Sequence, residues 1–163
     1  MATPALSIRD AKPGDLDTIV RFVRELAAYE RLESEVVATS GQFAEALFGP
    51  APKVFALILE VDGQPAGFAV WFYNFSTFLG RHGIYVEDIY VRKEHRGKGL
   101  GRGVFEYLAR KAVAEGCGRL EWWVLDWNEP AIRFYRAIGA EPMEEWTVQR
   151  VTGDALRRLA GLG

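Results

Sequence analysis

The chain has 163 residues, of which 49% are apolar and 26% charged, and a net charge of −2. This is the profile of one globular domain with enough chain to bury a core. One cysteine, Cys117, excludes an internal disulfide and a multi-cysteine metal site, and two histidines without ligand-pair spacing, His82 and His95, make metal catalysis unexpected.

Taken in chain order, Leu6–Arg9 reads as a first short strand. Pro13-Gly14-Asp15 opens a helix with Asp15 as N-cap, and Leu16, Ile19, Val20, Val23, Leu26 and Ala27 recur at helical spacing up to Tyr29-Glu30-Arg31. A second helix runs from Thr39 or Ser40 to Phe48 and is stopped by Gly49-Pro50. Lys53–Val61 and Gln64–Tyr73 are strands joined at Asp62-Gly63, a hairpin turn. Asn74–Arg81 is expected to be a loop, Ile84–Val91 a strand, and the segment after a glycine-rich turn a helix reaching Glu115. Leu120–Leu125 is a further strand, Ala131–Ala137 a short helix closed by Gly139, Trp146–Val151 a last strand and Asp154–Leu159 a last helical turn or two. No linker, repeat or low-complexity stretch interrupts this order, so an α+β fold with one mixed sheet between helices is expected over residues 1–163.

The turn itself, Arg96-Gly97-Lys98-Gly99-Leu100-Gly101-Arg102-Gly103, carries the most information. Glycine at every second position lets backbone approach a ligand with no Cβ in the way. The following helix directs unpaired N–H groups and its positive dipole end into the turn, which suits a phosphate or pyrophosphate. Lys98 is followed by Gly99 rather than by Ser or Thr, which departs from a mononucleotide P-loop. The two-residue gap of a dinucleotide fingerprint is also absent. Basic residues gather at this one loop and stripe no face, which argues against general nucleic-acid binding. No apolar run approaches the span of a bilayer, and no charged-then-apolar leader precedes Leu6, so a cytoplasmic protein without membrane contact is expected.

Two further segments bear chemistry. Tyr85-Val86-Glu87-Asp88-Ile89-Tyr90-Val91 places adjacent carboxylates in an apolar strand, where each needs a partner. Strand alternation sends Glu87 and Asp88 to opposite faces, so they are not expected to form a dyad, and which one faces a cleft stays open. In Asp126-Trp127-Asn128-Glu129-Pro130-Ala131-Ile132-Arg133-Phe134-Tyr135, Asn128 is a natural N-cap and Pro130 suits the first helical turn. Tyr135 by itself reads equally as a core aromatic and as a catalytic phenol. Cys117 lies between glycines away from these motifs, so no covalent intermediate is expected.

Strand, Arg-x-x-Gly-x-Gly turn and helix together resemble the pyrophosphate loop of the GNAT superfamily, N-acyltransferases that use acetyl-coenzyme A. YVEDIYV, RGKGLG, VLDWNEPAIRFYRAIGA and LRRLAG, with Tyr29-Glu30, resemble the diamine (spermidine/spermine) acetyltransferase family over nearly the whole chain. Phe75–Arg81 with Val124–Asn128 is more similar to its thialysine-acetyltransferase branch. The resemblance implies the GNAT-type fold, a central mixed and mostly antiparallel sheet flanked by helices, as a single N-acetyltransferase domain. It implies that Arg96, Gly97, Lys98, Gly99, Leu100, Gly101 and Arg102 hold the coenzyme A pyrophosphate. Ile89, Tyr90 and Val91 would pair with the pantetheine arm as an added strand. Asn128, Glu129, Pro130 and Ala131 would line the rest of the cofactor groove, together with Tyr135. By the same resemblance Tyr135 is the general acid, Glu87 a carboxylate that takes the amine proton through water, and Tyr29 and Glu30 bind the acceptor. Glu144 and Glu145 are not assigned, because local lengths differ there.

The implied reaction is direct attack of a primary amine of a small molecule on the thioester, with acetyl-coenzyme A as donor and a homodimer as the assembly. The diamine enzymes proper carry an acid in the loop before the YLED strand, where this chain has Ser76-Thr77; a shorter amine, thialysine- or lysine-like, is therefore favoured over long polyamines. The competing readings are a protein lysine or N-terminal acetyltransferase and a non-catalytic coenzyme-A sensor.

Overall fold

A computed structural model describes residues 2–162, which divide into two compact units on either side of the Trp123–Val124 boundary, 2–123 and 124–162. In the first unit, five strands take the order β1 (Leu6–Asp10), β2 (Phe55–Val61), β3 (Gln64–Ser76), β4 (Arg81–Val91) and β5 (Leu120–Trp122). All neighbours are antiparallel except β4 and β5, which run parallel through Ile84–Leu120, Tyr85–Glu121 and Val86–Trp122. Helices α1 (Leu16–Glu30) and α2 (Ser40–Phe48) precede β2, and α3 (Leu100–Ala114) connects β4 to β5.

The two faces of the sheet are buried by different helices. Ile19, Phe22, Leu26 and Leu47 from α1 and α2 pack with Ala56, Ile58, Phe68 and Val70. Phe22 stacks on Phe68 with ring centroids 5.8 Å apart. Phe22 is fully buried although the helical spacing read from the sequence did not include it. On the other face α3 buries Leu100, Val104, Phe105 and Leu108, while Leu57, Leu59, Trp71, Ile84 and Val86 alternate into the interior. Each such side chain withdrawn from water contributes about 1.5–3 kcal/mol.

Polar residues set the ends of these elements. Asp15 does precede α1, but its carboxylate makes no cap bond to that helix. It accepts from Lys12 N at 2.8 Å and from Arg9, also at 2.8 Å, and Arg9 in turn bonds Glu60 at 3.0 Å. This trio ties β1 to β2 and to the start of α1, and Arg9 holds the Asp15 carboxyl below its ordinary range. Thr39 and Gln42 form a reciprocal capping box on α2. At the β2–β3 turn both Asp62 and Gly63 have positive φ, 50° and 76°, as a two-residue hairpin demands.

Three sequence expectations need correction. Asn74–Ser76 and Arg81 are not loop: Asn74 pairs with Gly83, Phe75 with His82 and Ser76 with Arg81, leaving a short tip. Polar Asn74 is held there by Glu121, to which its Nδ2 donates at 3.0 Å. The strand expected over Leu120–Leu125 stops at Trp122. Trp146–Val151 forms no strand, and its side chains are exposed. Alternating apolar residues report amphipathicity, whereas a strand also requires a backbone edge to pair with.

The second unit contains α4 (Glu129–Ala137) and α5 (Gly153–Leu159). Asn128 caps α4, its Oδ1 accepting from Ala131 N at 3.4 Å, with Pro130 in the first turn. No helix among the described residues is long and apolar enough to cross a membrane.

Candidate active site

The glycine turn separates into residues with different duties. Gly97 and Gly99 have φ of 75° and 94°, a left-handed backbone that disfavours any side chain, and space beside both is open. Gly99 is the N-cap of α3 and supplies no side-chain acceptor, so the first-turn N–H groups point into the turn without a side-chain cap. Gly103, by contrast, lies inside α3 facing β1, where a Cβ would stand 2.7 Å from Ile8 Cδ1; it serves packing, not ligand approach. Lys98 is exposed, and Arg102 pairs with Glu106 at 2.9 Å on the helix surface. Open left-handed glycines, uncapped amides and a nearby basic side chain fit a pyrophosphate.

Arg96 makes contacts of its own beside the turn. Its Nε donates to Val91 O at 2.8 Å, and its guanidinium lies 4.8 Å from the Tyr29 ring centroid and 5.9 Å from that of Tyr90. It thereby joins the end of α1 to the end of β4 and to the turn. Arg92 reinforces the same junction with a bidentate pair to Glu25 at 2.6 and 3.0 Å, lying 4.9 Å over the Phe22 ring.

β4 carries the other half of the arrangement. Its ladder to β5 ends at Val86–Trp122, so beyond Val86 it has no β5 partner through Ile89, Tyr90 and Val91. On its β3 side, Gly67 sits so close to Tyr90 O that a Cβ would collide with that carbonyl. Where β4 leaves β5, its register with β3 slips: Val70 faces Asp88, but Trp71 faces Val86. Glu87 is the extra residue of a bulge.

The bulge decides which of the two acids shares the α1 face. Asp88 shares the Val70 face, that of α1, while Glu87 has no opposite residue and is exposed. Asp88 is half-buried, and its carboxyl is raised from an ordinary 3.8 to about 7, first by burial and then by the neighbouring charges of Glu87 and Glu30. Burial pushes the Glu30 carboxyl up as well. The fold therefore gathers Glu30, Glu87 and Asp88 at one place, and none of them is in an ion pair among the described residues. Asp88 was visible in the sequence as one of two costly acids, but a bulge leaves no single-sequence signature to assign it.

Ser76, read as part of an uncharged substrate loop, is buried at the end of β3, and its Oγ accepts from Leu79 N at 3.2 Å to shape the hairpin tip. In the second unit, Asn128, Glu129, Pro130 and Ala131 form the start of α4 and Tyr135 stands half-buried on it, with Phe134 at a centroid distance of 5.6 Å. The candidate residues thus form two groups, one in each unit.

Comparison with known proteins bears on this arrangement. The model of the Acetyltransferase (GNAT) family matches residues 17–140. A thialysine N-epsilon-acetyltransferase of Bos taurus is 39% identical over 94% of this chain and 96% of its own. An L-ornithine N5-acetyltransferase of Arabidopsis thaliana is 32% identical, covering 93% of this chain and 86% of its own. Among solved structures, an integron cassette protein of V. cholerae superposes with a TM-score of 0.78 at 28% identity, over 95% of this chain and 97% of that one.

Proposed function

The chain belongs to the GNAT acetyltransferase family, and from that premise we propose that it acetylates the primary amine of a small cationic molecule, a thialysine- or lysine-like amine or a short diamine. It is an acetyl-coenzyme-A-dependent N-acetyltransferase. The observation that carries the choice of acceptor is the group Glu30, Glu87 and Asp88, three acids without an ion-pair partner among the described residues, set beside the free edge of β4. Such a group favours a cation over a neutral or acidic acceptor.

In this reading the Gly97–Arg102 backbone holds the donor's pyrophosphate, and the Ile89–Val91 edge takes its extended arm as an added strand. Asn128, Glu129, Pro130 and Ala131 line the remainder. The bound thioester supplies an acyl carbon open to attack by an uncharged amine. Glu30 and Glu87 attract the ammonium form, Tyr29 helps to seat it, and Asp88, titrating near neutrality, takes its proton directly or through water. Glu87 at the bulge is the alternative acceptor of that proton. Tyr135 Oη holds the proton passed to the departing sulfur; a phenol near 10 and a thiol near 8.5 exchange it at small cost. The reading includes a cytoplasmic location and a homodimer, and the homodimer is supported by Phe75, Phe78 and Leu79, which stand 54%, 100% and 52% exposed on the β3–β4 hairpin.

The deciding experiment follows free coenzyme A release from acetyl-coenzyme A with spermidine, putrescine, thialysine, lysine and a basic peptide. Saturable turnover with thialysine, lysine or putrescine is expected. Turnover with the peptide alone would assign a protein acceptor, and donor binding without any turnover would make the chain a sensor.

A further inference from the structure

Beyond the buried part of the α1 face, an aromatic row continues along the sheet. Phe72 follows Val70 on that face of β3, and the register sets Tyr85 opposite it. Trp122 turns to the α3 face, where its ring lies 4.5 Å from Phe105. Trp123, next in the chain, therefore returns to the face of Tyr85. Phe72 and Tyr85 have centroids 4.9 Å apart, and Tyr85 and Trp123 stand 5.8 Å apart at 84°, nearly perpendicular. Trp123 is 59% exposed although it ends a row of packed rings.

The row runs into the acids of β4. The Tyr85 phenol is pushed up to about 12, by burial first and then by the charges of Glu87, Glu121 and Asp88. Arg119 is engaged by Glu121 at 2.7 Å, and Glu121 also accepts from Asn74. Perpendicular ring faces, that of Tyr85 on the strand that carries Glu87 and Asp88, two carboxyl groups in no ion pair among the described residues, form half of a cage for an organic cation. A packing role alone would account for Tyr85 but leaves the exposed indole without a purpose.

We infer that Tyr85 and Trp123 form a second subsite of the acceptor pocket, which holds by cation–π contact the positive group that is not acetylated while Glu30, Glu87 and Asp88 receive the reacting amine. This rests on the amine-acetyltransferase reading and narrows it to compact dications. Three residue rises separate Tyr85 from Asp88, shortened by the bulge, so the two charges lie roughly 7–10 Å apart. That spacing suits a short diamine or a basic amino acid better than a long polyamine.

The test compares 1,5-diaminopentane with pentylamine, which differ by one ammonium, on the full-length protein and on Trp123→Ala and Trp123→Phe. Binding is measured by calorimetry and turnover by coenzyme A release. In Trp123→Ala the preference for the diamine, as the ratio of KM values and of Kd values, should fall about 5- to 30-fold. Most of that fall should be recovered in Trp123→Phe, and kcat for the diamine should change little. Equal losses for both amines, or an unchanged ratio, overturn the subsite. Loss of kcat with an unchanged KM ratio overturns it too, since that is the mark of a structural role. Turnover without a Trp123-dependent preference leaves the transferase reading standing and sinks only the subsite. Trp123-dependent diamine binding without turnover does the reverse.

Discussion

At the scale of single residues, two side chains carry the proposed chemistry, and they are separable by experiment. Asp88 is held protonated in the folded state up to about pH 7, whereas in the unfolded chain it ionises near its ordinary 3.8. Between those values the folded state binds the extra proton, so this group's stabilisation is complete at low pH and is lost as pH rises through 7. Asp88→Asn is expected to flatten that slope: against the parent, its midpoint of denaturation should gain more at pH 8 than at pH 4.5. The same substitution should remove the rising limb of kcat/KM near neutrality, and a limb that persists would return the proton to Glu87. Tyr135→Phe is expected to lower kcat by about 10²–10⁴-fold with a far smaller change in coenzyme A affinity, measured by titration. Parallel losses in both would make Tyr135 a binding residue.

At the scale of elements, the strand–turn–helix from β4 to α3 is the unit that meets the donor. Gly99 has φ of 94° at the N-cap, so any side chain there is strained and also stands in the path of a ligand approaching the amides. Gly99→Val should raise the Kd for coenzyme A by at least about tenfold, while Lys98→Ala on the exposed side of the turn should weaken it only a few-fold. Equal Kd values for Gly99→Val and the parent would refute the cradle. The turn was legible because glycine spacing and basic residues stand out in sequence. The bulge beside it was not: Glu87-Asp88 stood out as two costly acids in a regular strand, and only the slip between Val70–Asp88 and Trp71–Val86 shows which acid faces α1.

At the scale of the molecule, the buried apolar side chains, from Ile19 to Ala112, all belong to the first unit among the described residues. Residues 1–123 should therefore fold cooperatively by themselves, seen as a single sigmoidal thermal transition by circular dichroism, and should lack turnover because Tyr135 is gone. A broad, featureless melt would show that the second unit is needed for folding. Trp146 and Val148, which alternate as in a strand, are 78% and 52% exposed, so the apolar pattern of residues 146–151 has no core to face in this structure.

Sequence alone determined the local grammar of this protein. Helical spacing in α1, the capping residues of α2 and α4, the Asp62-Gly63 hairpin and the glycine turn are short-range preferences encoded within a few residues. Tertiary structure decided what depends on partners distant in the chain. It lengthened the β3–β4 hairpin through Asn74 and Glu121 and turned Arg96 onto Tyr29 and Val91 O. It also brought Glu30 of α1 beside Asp88 of β4, where burial and like charge together set the proton affinity. Register, bulges and the electrostatic field arise between elements, and no local pattern of residues contains them.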